Sequence, residues 1–218
     1  MKVNWFTISA QNLLNGFRAA AILLFLGGVS SCSTSVQVEG EVPKLLVPAI
    51  DRSVLFLKPR SLQYTHEEKL PRGGDWSIAL GPMNEAFFNE LLDSMFVSVA
   101  SMEVESDGLI SGNPKEPQTR EDGQIRIDLV EYGFLTPQIS GLNFFSASTK
   151  FRIEIGDADG QSLGVWQVVG YGKAEAGTFQ AAEAVNSATV LAIRDAGARI
   201  AIELPRQGFF QDWLESTR

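Results

Sequence analysis

Apolar positions along the chain fall into distinct patterns. Ala19 to Val29 (AAAILLFLGGV) is an unbroken run of apolar and small residues. Ser53 to Lys58 (SVLFLK) has the β-branched and aromatic character of a buried first strand. Residues 59 to 80 hold two prolines, Gly73-Gly74 and mixed charge, which reads as a long surface loop containing His66. Gly81-Pro82 opens a helix, because proline is tolerated in a first turn. Met83, Phe87, Phe88, Leu91, Leu92, Met95 and Phe96 then recur at three- to four-residue spacing. Asn84, Glu85, Asn89, Glu90 and Asp93 fill the other face, so this helix should pack on a sheet.

Beyond the helix, Val97 to Val104 reads as a strand and residues 106 to 123 as a loop dense in Gly, Pro and charge. Ile125, Ile127, Leu129 and Tyr132 begin a third strand. Ser146 to Ile155 and Leu163 to Gly172 alternate on either side of Asp157-Ala158-Asp159-Gly160, the pattern of a hairpin. Thr178 can cap a long helix that runs to about Leu204, where Pro205 stops it. Its inner stripe, Ala182, Val185, Thr189, Ala192, Ala196 and Ile200, is mostly alanine and permits a close approach to a sheet. The order strand, helix, four strands, helix predicts an α+β fold: an antiparallel sheet of about four to five strands covered on one face by two helices. Val36 and Val38 alternate with polar residues, which allows a short strand there as well. No internal repeat is present.

Composition changes this picture little. Apolar residues make up 44% of the 218 and charged residues 20%, ordinary values for one globular core. Charge is more telling. Residues 1 to 31 hold Lys2 and Arg18 and no acid, so the remainder carries 18 − 2 = 16 basic against 26 acidic groups, a formal charge of 16 − 26 = −10. Such a surface repels phosphate backbones, and no stretch interleaves Lys and Arg with aromatics, so nucleic acid is not an expected partner.

The N-terminal apolar run follows a basic segment and spans about half of the ~20 residues that a helix needs to cross a bilayer. That is the layout of a secretion signal rather than a permanent anchor. Directly after it comes Val29-Ser30-Ser31-Cys32: an aliphatic residue, two small ones and the only cysteine of the chain. This segment resembles the lipobox of bacterial lipoproteins, the substrate of signal peptidase II. The resemblance implies cleavage between Ser31 and Cys32 and acylation of Cys32, whose thiolate is the nucleophile that takes the lipid. At ~0.8 kcal/mol per buried methylene, two or three acyl chains hold a protein on a membrane almost permanently. In such sorting an Asp after the cysteine favours the inner membrane. Ser33 stands there, which implies the outer membrane, facing the periplasm. The resulting organisation is a signal peptide over 1–31, a lipidated N-terminus and tether over 32–43, one α+β domain over 44–205 and an aromatic tail over 206–218. In outline this is similar to small periplasmic lipoproteins such as the YajG-like group.

Candidate chemistry is sparse. One histidine and one cysteine leave little for a His/Cys metal site or a Ser-His-Asp triad, and His66, followed by Glu67 and Glu68, reads as solvated. Asp157 and Asp159 resemble the start of a calcium loop but lack the Glu at the twelfth position, so a plain turn is expected. Gly170-Tyr171-Gly172-Lys173 lacks the spacing of a phosphate loop. Neither metal nor cofactor is expected, and no residue is singled out as catalytic. In the tail, Phe209, Phe210 and Trp213 either contact a partner or fold back to close the core. The expected role is therefore non-enzymatic: a membrane-anchored envelope lipoprotein that binds another envelope component in outer-membrane assembly or maintenance. The alternative is an auxiliary lipoprotein of a lipid or solute transport system, which would show an apolar groove between the helices and the sheet.

A Cys32→Ser variant, which cannot be acylated through sulfur, should move from the membrane to the soluble fraction, and the native N-terminus should be an acylated Cys32. Mass spectrometry of native protein that begins at Met1, or near residue 32 with a free thiol, contradicts this.

Overall fold

The structure is a computed structural model that describes residues 33–71, 74–105, 121–175 and 181–216. The chain divides into two units, Met1–Ser33 and Thr34–Arg218. The leader over 1–31, Cys32, most of the loop expected over 106–123 and the Thr178 cap lie outside the described residues.

The second unit is α+β. Its strands are β1 (Ser33–Gln37), β2 (Ile50–Pro59), β3 (Thr65–Leu70), β4 (Gly74–Ala79), β5 (Phe96–Val104), β6 (Gly123–Leu135), β7 (Phe144–Asp157) and β8 (Ser162–Glu175). Its helices are α1 (Gly81–Met95), the short α2 (Pro137–Ser140), α3 (Ala181–Glu203) and α4 (Gly208–Ser216). Five strands form one sheet in the order β5-β2-β6-β7-β8, and three form a second in the order β1-β4-β3.

The larger sheet has the expected size but is not wholly antiparallel. β6, β7 and β8 form an antiparallel meander, whereas β2 runs parallel to both β5 and β6. The reason is visible in the segment SVLFLK. Val54, Phe56 and Leu57 are all fully buried, so both faces of β2 are covered, as a central strand flanked by parallel neighbours requires. A strand with one wet face would alternate instead.

The expected loop over 59–80 is corrected in the same way. Arg60–Gln63 form a single 3-10 turn, and β3 and β4 then pair as an antiparallel hairpin from Thr65↔Ala79 to Leu70↔Gly74. The strand THEEKL is mostly exposed, so it carries no apolar stripe that would betray it. Trp76 and Ile78 of β4 supply the buried side of the pair. Within the span read as a tether, the short strand allowed at Val36 and Val38 forms. β1 joins the second sheet, Val36 and Val38 are buried, and Val38 N–H donates to Ala79 O at 2.9 Å. Past it, Asn186 of α3 grips the Glu39 backbone twice, accepting from N–H and donating to C=O, both at 2.9 Å.

α1 and α3 lie on one face of the larger sheet. Phe88 of α1 meets Phe151 of β7 edge to face at 4.8 Å between ring centroids, and α1 packs beside α3 where Gly197 faces Phe87. Asn84, read from sequence as surface, is instead buried and donates to Leu62 O at 3.1 Å. α3 approaches β8 so closely that no side chain fits between them. A Cβ on Gly170 would stand 2.0 Å from Ala192 O, and one on Gly172 would stand 1.9 Å from Ala188 O. The alanine stripe Ala188, Ala192 and Ala196 is the other half of this contact.

Gly172→Ala should therefore destabilise the fold by about 2 to 4 kcal/mol, because backbone atoms, not a pliable side chain, must give way. Gly208→Ala, with nothing within 4 Å of the added methyl, should stay within about 0.5 kcal/mol. Urea unfolding of both variants reads the difference, and equal midpoints would refute it.

Candidate functional site

The C-terminal aromatics do not reach outward together. Phe210 and Trp213 are buried, with ring centroids 5.3 Å apart at 70°, and Phe210 also meets Phe96. Trp213 Nε1–H donates to Asp122 O at 3.3 Å, and its ring occupies the space a Cβ on Gly123 would need. Phe209 lies half-buried over Gly164 of β8. Arg52 Nη2 donates to Leu214 O at 2.7 Å and fastens α4 to β2. Of the two readings of this tail, Phe210 and Trp213 take the fold-back, which leaves them no surface for a partner.

His66 is not a loop residue. It sits on β3 with its side chain largely covered, its ring 5.0 Å from Tyr132 and 6.0 Å from Phe134, both edge to face. Its Nε2 is 3.0 Å from Glu68 Oε2. The ring thus fills the seam between the small hairpin and β6, beside Trp76 and Phe134, which pack 5.3 Å apart. Among the described residues no group of three or more His, Cys, Asp or Glu side chains could hold a metal ion.

Behind this seam lies a buried polar pair. Tyr132 O–H and Thr189 Oγ1 are 2.8 Å apart, and the Thr189 hydroxyl donates to Val185 O at 2.7 Å. That leaves Tyr132 as donor to Thr189. Burial holds its phenol well above the ordinary tyrosine range. The Glu68 carboxylate adds to the rise.

Charged residues on the sheet face turned away from α1 and α3 are spent on each other. Arg126 is buried and bridges both oxygens of Asp128 at 2.8 and 2.9 Å. Arg152 Nη1 is 3.0 Å from Glu154 and 3.8 Å from Asp128. Among the described residues, these two cations face these two anions.

β8 is an edge strand of the larger sheet. Because Gly170 and Gly172 face α3, the alternation of the strand turns Tyr171 and Lys173 to the opposite face. Register places Ser148 and Ser146 across from them on β7, and Gly133 and Leu135 beyond on β6. These small residues leave a trough of about 390 Å³ between Leu135 and the Tyr171–Lys173 wall. A second groove of about 470 Å³ lies on the other side of the same edge, where Phe87 of α1 and Leu191, Arg194 and Asp195 of α3 meet Pro43 and Leu45. Tyr171 is 64% exposed, and its N–H donates to Asp195 Oδ2 at 3.0 Å. Lys173 Nζ sits 3.9 Å over the Phe144 ring. Sequence reading placed Leu163 to Gly172 on a hairpin strand and found no phosphate loop at Gly170 to Lys173, but it did not identify this strand as an edge. Two glycines alternating with large residues on a strand were the signal for this edge.

No family model matches the chain, and no curated protein matches its sequence. Solved structures resemble it more distantly. Protein XCC0632 of Xanthomonas campestris, of the family described as DUF330, aligns over 86% of this chain and all of its own, at 12% identity and a TM-score of 0.49. A protein of Helicobacter pylori described as a neuraminyllactose-binding hemagglutinin homolog ("putative") aligns over 84% of this chain and 98% of its own, at 10% identity and 0.42. A "putative lipoprotein" of Caulobacter crescentus aligns over 47% and 72%, at 14% identity and 0.30. Likeness at this level assigns no role to any residue here.

Tyr132 makes an alkaline prediction. Its phenol ionises later in the folded state than in the unfolded state, where the usual value is about 10. Above that pH the folded state therefore holds a proton that the unfolded state has lost, and stability must fall as pH rises. Tyr132→Phe should cost about 1 kcal/mol at neutral pH through the lost hydrogen bond. It should also flatten the loss of stability above about pH 10, as measured by denaturant unfolding across pH. An unchanged alkaline slope in the variant would contradict this.

Proposed function

We propose that the mature chain is a lipid-anchored envelope protein that works by binding a partner rather than by catalysis, held through Cys32 at the periplasmic face of the outer membrane. The observation that carries the binding reading is the Tyr171–Lys173 segment of β8. It is an edge strand with an exposed aromatic, a cation and a groove on each side. Aromatic side chains offer large contact area at little entropic cost. Three of the acids are engaged in internal bonds: Asp128 with Arg126, Glu154 with Arg152 and Ser162, and Asp195 with Tyr171 and Arg199.

A second reading, an auxiliary lipoprotein of a transport system, draws support from the groove that Phe87, Leu191 and β8 line between the two helices and the sheet. It predicts an apolar cargo or a transporter subunit at that place.

A photo-crosslinking residue in place of Tyr171, and separately of Leu191, distinguishes the two in the native envelope. Adducts of Tyr171 with an outer-membrane component support the first reading, and adducts of Leu191 with a transporter or lipid support the second. If the membrane-bound protein gives no adduct at either position while a control site such as Asp159 does, the binding edge is misplaced.

A further inference from the structure

We propose that the end of the body where β1 begins rests in the lipid headgroup layer, so that the Leu70 and Gly74 ends of β3 and β4 face the bilayer; this rests on the reading of Cys32 as the acylated residue. β1 is hydrogen-bonded along β4, and Val38, just past its end, donates to the carbonyl of Ala79, the last residue of β4. The two strands therefore finish together and run parallel. An antiparallel course would carry the start of β1 past Ala79, where helix α1 begins at Gly81. The first residues of β1 consequently lie at the Gly74 end of β4, which is also the Leu70 end of β3.

Slack decides what this means for the anchor. A free tether of ten residues would allow about 33 Å between lipid and body. β1 removes it: Val36 and Val38 are buried, and Glu39 is held at both backbone groups by Asn186. Thr34 is two residues from Cys32, which permits at most about 7 Å. The headgroup layer is about 5 to 8 Å deep on each side of a bilayer. Chain length alone thus sets the Leu70 and Gly74 ends of the hairpin strands at headgroup depth. Lys69 stands at this end with its side chain 86% exposed, 3.7 Å from Asp75, and Pro71 is exposed beside it. A cation there meets headgroup phosphates, and a proline leaves no backbone N–H to desolvate.

Acylation consumes the only thiol of the chain, so single cysteines can be labelled in the matured protein. Bimane on Lys69→Cys and on Pro71→Cys should be quenched several-fold more strongly than bimane on Thr65→Cys in phospholipid vesicles carrying headgroup-nitroxide lipid. Thr65 pairs with Ala79 at the far end of the same hairpin. A ten-residue Gly/Ser insertion between Cys32 and Ser33 should abolish the difference. Equal quenching at all three positions, in protein whose mass shows an acylated Cys32, overturns this orientation and leaves the anchor standing. An unmodified Cys32 overturns the anchor reading and the orientation with it.

Discussion

The contact on which the rest of the fold depends is the one with the least in it. α3 lies directly on the backbone of β8 because Gly170 and Gly172 offer no side chain and Ala188, Ala192 and Ala196 offer only methyls. Backbone-to-backbone approach of this kind recruits dispersion from many atom pairs at once and leaves no void to fill. It also fixes everything on the far side of the strand. With the even positions of this stretch committed to the helix, Tyr171 and Lys173 must point outward, and the binding edge proposed for the protein follows from a packing requirement.

The same helix joins the two sheets. Val190 of α3 faces Gly40, Asn186 holds Glu39, and Thr189 accepts the hydroxyl of Tyr132, whose ring meets His66 of the small hairpin. One face of α3 thus carries the sheet contact, and its first half carries the link to the N-terminal strand. The seam between the sheets is aromatic, built from His66, Tyr132, Phe134 and Trp76, which explains why the only histidine is spent on packing.

What the sequence made legible was set by amphipathic contrast. α1, β6 and the β7–β8 hairpin show clear periodicity and emerge as expected, as does the alanine stripe of α3. β3 was hidden because Thr65 to Leu70 is mostly solvent-facing, and a strand with almost no buried side looks like a loop. Strand direction was hidden for another reason. Alternation reports which face is wet and says nothing about which way a neighbour runs, although the continuous burial of Val54, Phe56 and Leu57 carried that information. The candidate site divided likewise. Phe209, Phe210 and Trp213 drew notice as aromatics near a terminus that either contact a partner or close the core, and the latter two are core. The strand through Tyr171 was legible, but its place at the sheet edge was not, because alternation does not report which neighbours a strand has.

The stitching of the two chain ends has a bearing on when such a protein can close. Glu39 is bonded to Asn186, 147 positions downstream, and Arg52 to Leu214, 162 positions downstream. Closure of these contacts has to wait for nearly the whole polypeptide, and long-range contacts are slow to form in any case. A nascent chain lacking its last forty residues would miss the helix on which β1 and β8 both lean. It would therefore stay loose for as long as synthesis lasts and would lock only once its final helices were made.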